Sequence, residues 1–410
     1  MSVPNEHQNK MNVFQPVYNF IYFLRSENCV ERIKNGMTSR VVTTIHWWIV
    51  PNSMMASVRI SRGLLALRYP GTIHGRTVST QAIDSTPGRL VDVSSIAMKM
   101  RRGVRRYAEE SQDTLKLVGV LAHDGPFRAD AEVYSNHVAM TCREDGIEYE
   151  ECRVIGESYE DVEAAIQEAN HRSDVHGILV YYPIFKARNS LTQRGPYKNR
   201  LTGVYYKTHD DYLRDVVIPT KDVEGLCHDF NARWLFRARG IQPPNTHRKQ
   251  NGVVYPCTAL SVLRILESQA DSLHGKCVTI VNRSEILGRP LAAMLANLGA
   301  SVFSVDTELI LQFSPGGRLR RLPDMDLHSC LQESDAVVSG VPSPSFSLPC
   351  DMINPGSIVI NVSEYENVPE DVLQIPGVDF VPHVGKVTVA SLEENLVALH
   401  QRQQKAAIEN

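Results

Sequence analysis

The run "VTIVNRSEILGRPLAAMLANLGASVFSVD", from Val278 to Asp306, constrains this chain more than any other. An apolar, β-rich segment leads through a polar loop into an amphipathic helix, then a second apolar segment closed by a carboxylate. That order predicts a βαβ unit, in which backbone N–H groups and a helix N-terminus meet a pyrophosphate. Val278 to Val281 reads as the strand, Asn282 to Gly288 as the loop, and Pro290 as a first-turn helix residue. Asn282 stands where a dinucleotide fingerprint places its first glycine, and asparagine adopts the left-handed conformation less freely than glycine. Asp306 closes the next strand near the spacing at which a carboxylate takes the adenine-ribose hydroxyls. A carboxylate there repels a 2′-phosphate and selects NAD over NADP.

A chain of 410 residues is too long for one ordinary core and predicts two domains with additions. The net charge of -3 argues against a general polyanion binder, so no nucleic-acid partner is expected. The eight cysteines form no C-x-x-C or other metal-type pattern, which points to reduced thiols in a cytosol-like compartment and no metal site. No apolar run is long enough to span a bilayer, and no membrane partner is expected.

Residues 1–85 read as an N-terminal extension, poorly ordered, with no acidic residue between Glu31 and Asp84. "MMASVRISRGLLALRYPG", Met54 to Gly71, has the Arg/Ser-rich, acid-free character of a transit peptide. A cytoplasmic location is the expectation, with a mitochondrial one as the alternative.

From Gly88 onward, apolar runs alternate with amphipathic helices, the pattern of a parallel sheet covered on both faces. The predicted strands of the first series lie in Leu115 to His123, "YEECRVIG" and "VHGILVYYPIF". Residues from Lys186 to Asp210 read as a polar surface insertion. A second series begins at Gly275, with strands at Val278 to Val281, Ser301 to Val305, Ala336 to Ser339, Ser357 to Asn361 and Val378 to Val381. The fold class is therefore α/β, with two α/β domains: residues 86–258, then a Rossmann-type domain over 259–387. A final helix over 388–405 carries Val389, Leu392, Leu396 and Leu399 on one face.

"VNRSEILGRP" resembles the V-G-R-S-x-x-V-G-x-P signature of the methylenetetrahydrofolate dehydrogenase/cyclohydrolase family. "PTKDVEG" is similar to that family's P-x-K-D-V-D-G, "YPCTAL" to its P-C-T-P, and "VPHVGKVTVASL" to its P-G-G-V-G-x-M-T. The motifs stand in family order over roughly Gly88 to Gln404. Asn in place of Gly at position 282, with the run that follows, resembles the NAD-dependent monofunctional branch of fungi.

The resemblance implies a folate-binding first domain, a Rossmann-type NAD domain, and a C-terminal helix that returns to the first domain. It implies a tetrahydrofolate derivative as substrate, NAD as cofactor and a homodimer. It places Tyr134 where the family has its stacking tyrosine, Glu224 at the pterin-binding aspartate, and Tyr181 at a glutamine. Those three are the candidate catalytic residues. Val138 stands where bifunctional members carry the lysine of cyclohydrolysis, and an aliphatic side chain donates no proton. Dehydrogenation without cyclohydrolase activity is therefore expected. A weakly bifunctional enzyme and a non-catalytic folate- or nucleotide-binding relative are the alternatives. Candidate cofactor contacts are Asn282, Arg283, Ser284, Gly288, Asp306, Val341, Pro342 and Thr388. Lys221 and Asp222 read as a structural ion pair, Cys257 as a packing residue at the domain junction, and His383 as a loop residue near the nicotinamide.

Overall fold

The computed structural model describes residues 86–122, 128–155, 158–185, 205–228 and 254–409, together with the backbone of three N-terminal strands. Those strands are β1 (Val42–Val50), β2 (Ser53–Ile60) and β3 (Gly63–Tyr69), an antiparallel meander in a unit of its own over Met1–Gln81. It stands within the extension read as poorly ordered; β1 is rich in the β-branched and aromatic residues that favour strands. Other parts of the transit-like stretch and most of the insertion after Lys186 lie outside the described residues.

Among the described residues, the larger unit, Ala82–Asn410, holds two sheets. The first has the order β6-β5-β7, all parallel, with β5 (Lys116–Ala122) between β6 (Glu148–Val154) and β7 (Gly177–Val180). Successive side chains of a strand point to opposite faces. Leu117, Leu121 and Leu179 enter one core with Val138 and the last helix; Val118, Val120, Ile178 and Val180 enter another. The helices of this half are α1 (Ser94–Glu110), α2 (Arg128–Glu144), α3 (Tyr159–His171) and α4 (His209–Val216). Ser158 caps α3 by accepting from Asp161 N at 3.3 Å, and Glu160 and Asp161 suit the positive end of the helix.

The second sheet has eight strands in the order β11-β10-β9-β8-β12-β13-β14-β4. Its members are β8 (Cys277–Val281), β9 (Ser301–Val305), β10 (Ile310–Ser314), β11 (Arg318–Arg321), β12 (Ala336–Ser339), β13 (Ile358–Asn361), β14 (Asp379–Val381) and β4 (Arg89–Leu90). β8, β12 and β13 are buried at every position, as strands covered on both faces must be. Helices α5 (Cys257–Gln269), α6 (Gly288–Asn297) and α7 (Leu327–Gln332) belong to this half, and α8 (Gly385–Glu409) closes the chain.

Three features depart from the sequence reading. The hairpin β10–β11, which the sequence reading does not include, widens the second sheet. β4 belongs to that sheet too, parallel to β14, although a boundary at residue 86 assigns it to the first domain. Arg89 pairs with Asp379 at 2.6 Å, and Val91 N donates to Phe380 O, so this edge is held over a sequence separation of 290 residues. Asp210, expected on a polar surface, is buried at the start of α4, where it accepts from Ile184 N and Phe185 N at 3.2 and 3.3 Å.

Candidate active site

In the second sheet, β8 lies between β9 and β12, so the chain leaves β8 for one side and returns to the other. The crevice at such a switch point, beyond the carboxyl ends of the strands, is where open α/β sheets take ligands. The loops after β8 and after β12 face one another there. Asn282 joins them: its amide donates to Gly340 O at 2.6 Å, and its Oδ1 accepts from Ser284 N at 2.8 Å and Ser284 Oγ at 2.7 Å. Ser284 Oγ in turn accepts from Leu287 N at 3.1 Å. The loop is thus braced by side chains before it enters α6, whose N-terminus has no side-chain cap.

Gly288 is demanded by close approach. A Cβ there would lie 2.1 Å from Asn282 O and 2.6 Å from Asn282 C, both backbone atoms. Val341 N, on the facing loop, donates to the buried amide oxygen of Asn367 at 2.8 Å; Pro342 beside it is exposed.

Asp306 stands exposed at the end of β9. Arg283 is nearly buried and reaches it at 3.6 Å through Nη1, while Nη2 donates to Ser304 O and Leu309 O, both at 2.5 Å. The guanidinium is therefore occupied with the backbone around Asp306. Its Nη1 faces the Asp306 carboxylate from behind. Thr388 is likewise engaged, donating to Ser261 Oγ at 3.1 Å inside the helix packing. His383 is exposed on the loop before α8.

A second cluster lies against the first sheet. The Tyr134 ring, on α2, meets the Tyr181 ring edge-on, with centroids 5.9 Å apart and planes at 84°. Burial raises the Tyr134 hydroxyl well above its ordinary value, and the neighbouring Cys257 and Glu224 add to the rise. Those two are therefore its electrostatic neighbours. Val138, one turn along α2, is fully buried among Leu117, Tyr181, Cys257 and Leu392.

Glu224 accepts from Val180 N at 3.3 Å. Burial, and then the nearby Asp222, push its carboxyl up to about 8. The turn that presents it is built by its neighbours. Asp222 accepts from the backbone N–H groups of Glu224, Gly225 and Cys227 at 2.8–3.1 Å. Lys221 donates to the carbonyls of Ala169, Asn170 and Arg172, at the negative end of α3. Both residues are structural, as expected, but each serves a different element and they form no pair with one another.

The two halves meet at the start of α5, where Tyr255 packs in the core of the second sheet and Cys257 in that of the first. Asn395 of α8, fully buried, donates to Val223 O and Tyr255 O, both at 2.8 Å. A single amide thereby ties the Glu224 turn to the Pro256–Thr258 turn. Sequence reasoning missed Asn395, Asn367 and Gly340. Their partners lie 172, 26 and 58 residues away, and no local pattern marks such contacts.

Two family models match the chain: the catalytic domain of tetrahydrofolate dehydrogenase/cyclohydrolase over residues 91–194, and its NAD(P)-binding domain over 256–404. The NAD(+) methylenetetrahydrofolate dehydrogenase of Dictyostelium discoideum is 36% identical over 326 residues, 76% of this chain and 94% of that protein. The chain belongs to the tetrahydrofolate dehydrogenase/cyclohydrolase family. The Schizosaccharomyces pombe protein of the same name is 33% identical over 326 residues, covering 76% of this chain and 92% of its own. Among solved structures, the NAD-dependent 5,10-methylenetetrahydrofolate dehydrogenase of Saccharomyces cerevisiae matches with a TM-score of 0.66 and 30% identity, over 78% of this chain and all 100% of that one.

This membership accounts for the two-domain α/β fold and for the position of the switch-point loops. Within the family frame, Tyr134, Tyr181 and Glu224 are brought together on the first sheet. Asn282, Ser284, Gly288, Asp306 and Val341 are brought together at the second, with Arg283 behind Asp306.

Proposed function

We propose that this chain oxidises 5,10-methylenetetrahydrofolate to 5,10-methenyltetrahydrofolate with NAD, and that it lacks cyclohydrolase activity. The observation that carries the reading is Asp306, exposed at the switch-point end of β9 and held by Arg283 at 3.6 Å. A carboxylate there accepts from both ribose hydroxyls of NAD and repels the extra phosphate of NADP. The relatives named for the NAD-dependent activity support the same choice.

The residues fit the cofactor. Gly288 would let the pyrophosphate approach the uncapped N-terminus of α6, and the Gly340–Pro342 loop, braced by Asn282, would border it. The cofactor supplies a hydride acceptor. Hydride leaves the bridging carbon of the folate with both electrons of its C–H bond, and the two flanking nitrogens share the positive charge left behind. No proton is exchanged in this step, so the chain's task is to orient the folate and exclude water. Tyr134 and Tyr181 offer the aromatic wall, and Glu224 a carboxyl for pterin N–H groups.

Val138 is the reason for proposing that hydrolysis is absent, because it puts an apolar side chain one turn from Tyr134. We propose further that the protein is a cytoplasmic homodimer; the Met54 to Gly71 stretch is the ground for the mitochondrial alternative. Fractionation with N-terminal sequencing, and sedimentation of the purified protein, test these two points. The activity is tested by incubating the protein with methylenetetrahydrofolate and NAD. NADH and methenyl product should appear in equal amounts, while added methenyltetrahydrofolate hydrolyses no faster than in buffer. Absence of NADH overturns the reading, and enzyme-dependent hydrolysis restores the bifunctional alternative.

A further inference from the structure

Beside Tyr181 runs a line of hydroxyls that the proposed reaction does not use. Tyr181 Oη lies 2.8 Å from Tyr149 Oη, Tyr149 Oη lies 2.8 Å from Ser135 Oγ, and Ser135 Oγ lies 2.7 Å from Glu151 Oε2. The line crosses the first sheet from β7 to β6. Gly119, on the strand between them, makes room for it: a Cβ at that position would sit 2.1 Å from the Tyr149 hydroxyl. Ser135 is fully buried and Tyr181 is 5% exposed, so water is largely shut out of both.

Counting protons gives the line a direction. The Glu151 carboxylate, whose other oxygen is paired with Arg153 at 2.5 Å, only accepts. Ser135 therefore spends its one proton on Glu151 and must accept from Tyr149. Tyr149 has then used its proton and must accept from Tyr181. The Tyr181 proton points into the protein, and its oxygen keeps only lone pairs for anything else.

Resting on the dehydrogenase reading above, we propose that Ser135, Tyr149 and Glu151 are positioning residues that fix Tyr181 as an acceptor-only group beside Tyr134. Such an oxygen favours the positive charge that develops as hydride leaves the folate. It also has no proton to offer a leaving group, which adds to the effect of Val138 in denying hydrolysis. The family resemblance placed Tyr181 at a glutamine position; the hydroxyl line supplies what that tyrosine does there.

The test is a double-mutant cycle on folate oxidation. Tyr149→Phe removes one hydroxyl and leaves the ring. It should lower kcat about tenfold with the KM for NAD unchanged, the scale of one charge-directed hydrogen bond. Tyr181→Phe should lose as much, and the double variant no more than Tyr181→Phe alone, because Tyr149 acts through Tyr181. Glu151→Gln, on the solvent side of the line, keeps a hydrogen-bonding group but can donate to Ser135 and so removes the direction. It should lower kcat about threefold without lowering Tm. Undiminished kcat in a folded Tyr149→Phe, or losses that multiply in the double variant, would overturn the proposal. Turnover by the unaltered protein tests the functional reading on its own. If it shows none, the same cycle is read on tetrahydrofolate affinity by calorimetry, where non-additive losses support the line and additive ones refute it.

Discussion

The side-chain amide of Asn282 donates to the main-chain carbonyl of Gly340 at 2.6 Å, joining the loops that follow β8 and β12. A glycine at position 282, as in most dinucleotide fingerprints, could not make this strut. Asn282→Ala should therefore loosen the crevice without disturbing chemistry in the first domain. A buried hydrogen bond contributes about 1 kcal/mol, so the KM for NAD should rise roughly five- to tenfold with kcat within about twofold. Initial-rate kinetics at varied NAD decide the point; an unchanged KM removes the strut from the account.

Gly288 faces the same loop from the helix side. In Gly288→Ala the new Cβ would meet backbone atoms of Asn282 at 2.1 and 2.6 Å, and no side-chain rotation relieves that. The loop must shift, and calorimetric titration should show NAD affinity weakened at least about tenfold, with the protein still folded. Full affinity in this variant would mean the loop is not the cofactor's seat.

Glu224 gives the folate site a pH dependence. Its carboxyl is raised to about 8 by burial and by Asp222, so it is mostly neutral at pH 7 and ionised above 8. The ionised form is the better acceptor for paired pterin N–H groups. The KM for folate should accordingly fall, by up to about tenfold, as pH rises from about 7 to about 9. Glu224→Gln should flatten that profile. A KM that rises with pH in the unaltered enzyme contradicts the role given to Glu224.

Glu393 affects stability instead. This α8 carboxyl is fully buried, its oxygens lack a hydrogen-bond donor among the described residues, and Arg101 Nε stands 3.9 Å away. Burial and the neighbouring Asp145 raise it to about 9. A carboxyl raised in the folded state stabilises fully below its unfolded value, and that contribution is lost progressively as pH climbs from there to about 9. Asp145 is shifted the other way by Arg101 and Arg105 against its own burial, so its contribution is lost only in acid. Glu393→Gln stays neutral, so its advantage in melting temperature over the unaltered protein should grow from about pH 5 to about pH 9. Thermal denaturation at the two pH values checks this; a Gln variant less stable in alkali contradicts it.

Much of the dinucleotide half was legible because its signals are local. The strand Val278 to Val281, the loop glycine Gly288, Pro290 and the closing Asp306 all fall within one run of sequence. Strand assignments at 301–305 and 336–339 matched the structure for the same reason. What escaped reading depends on distant pairing. β4 is only two residues long and becomes a strand through β14, at the far end of the chain. The hairpin β10–β11 carries Gln312, Ser314 and three arginines, a pattern that resembles a polar loop until pairing with β9 shows otherwise. No local pattern marks Tyr149 or Ser135; only the small size of Gly119 on the intervening strand lets the hydroxyls of Tyr149 and Tyr181 meet.

The most direct test of the account compares kcat/KM for NAD and NADP in methylenetetrahydrofolate oxidation, in the unaltered protein and in Asp306→Ser. The account predicts an NAD preference of at least about a hundredfold, shrinking by tenfold or more once the carboxylate is removed. Equal or better use of NADP by the unaltered protein, or a preference untouched by Asp306→Ser, would contradict it.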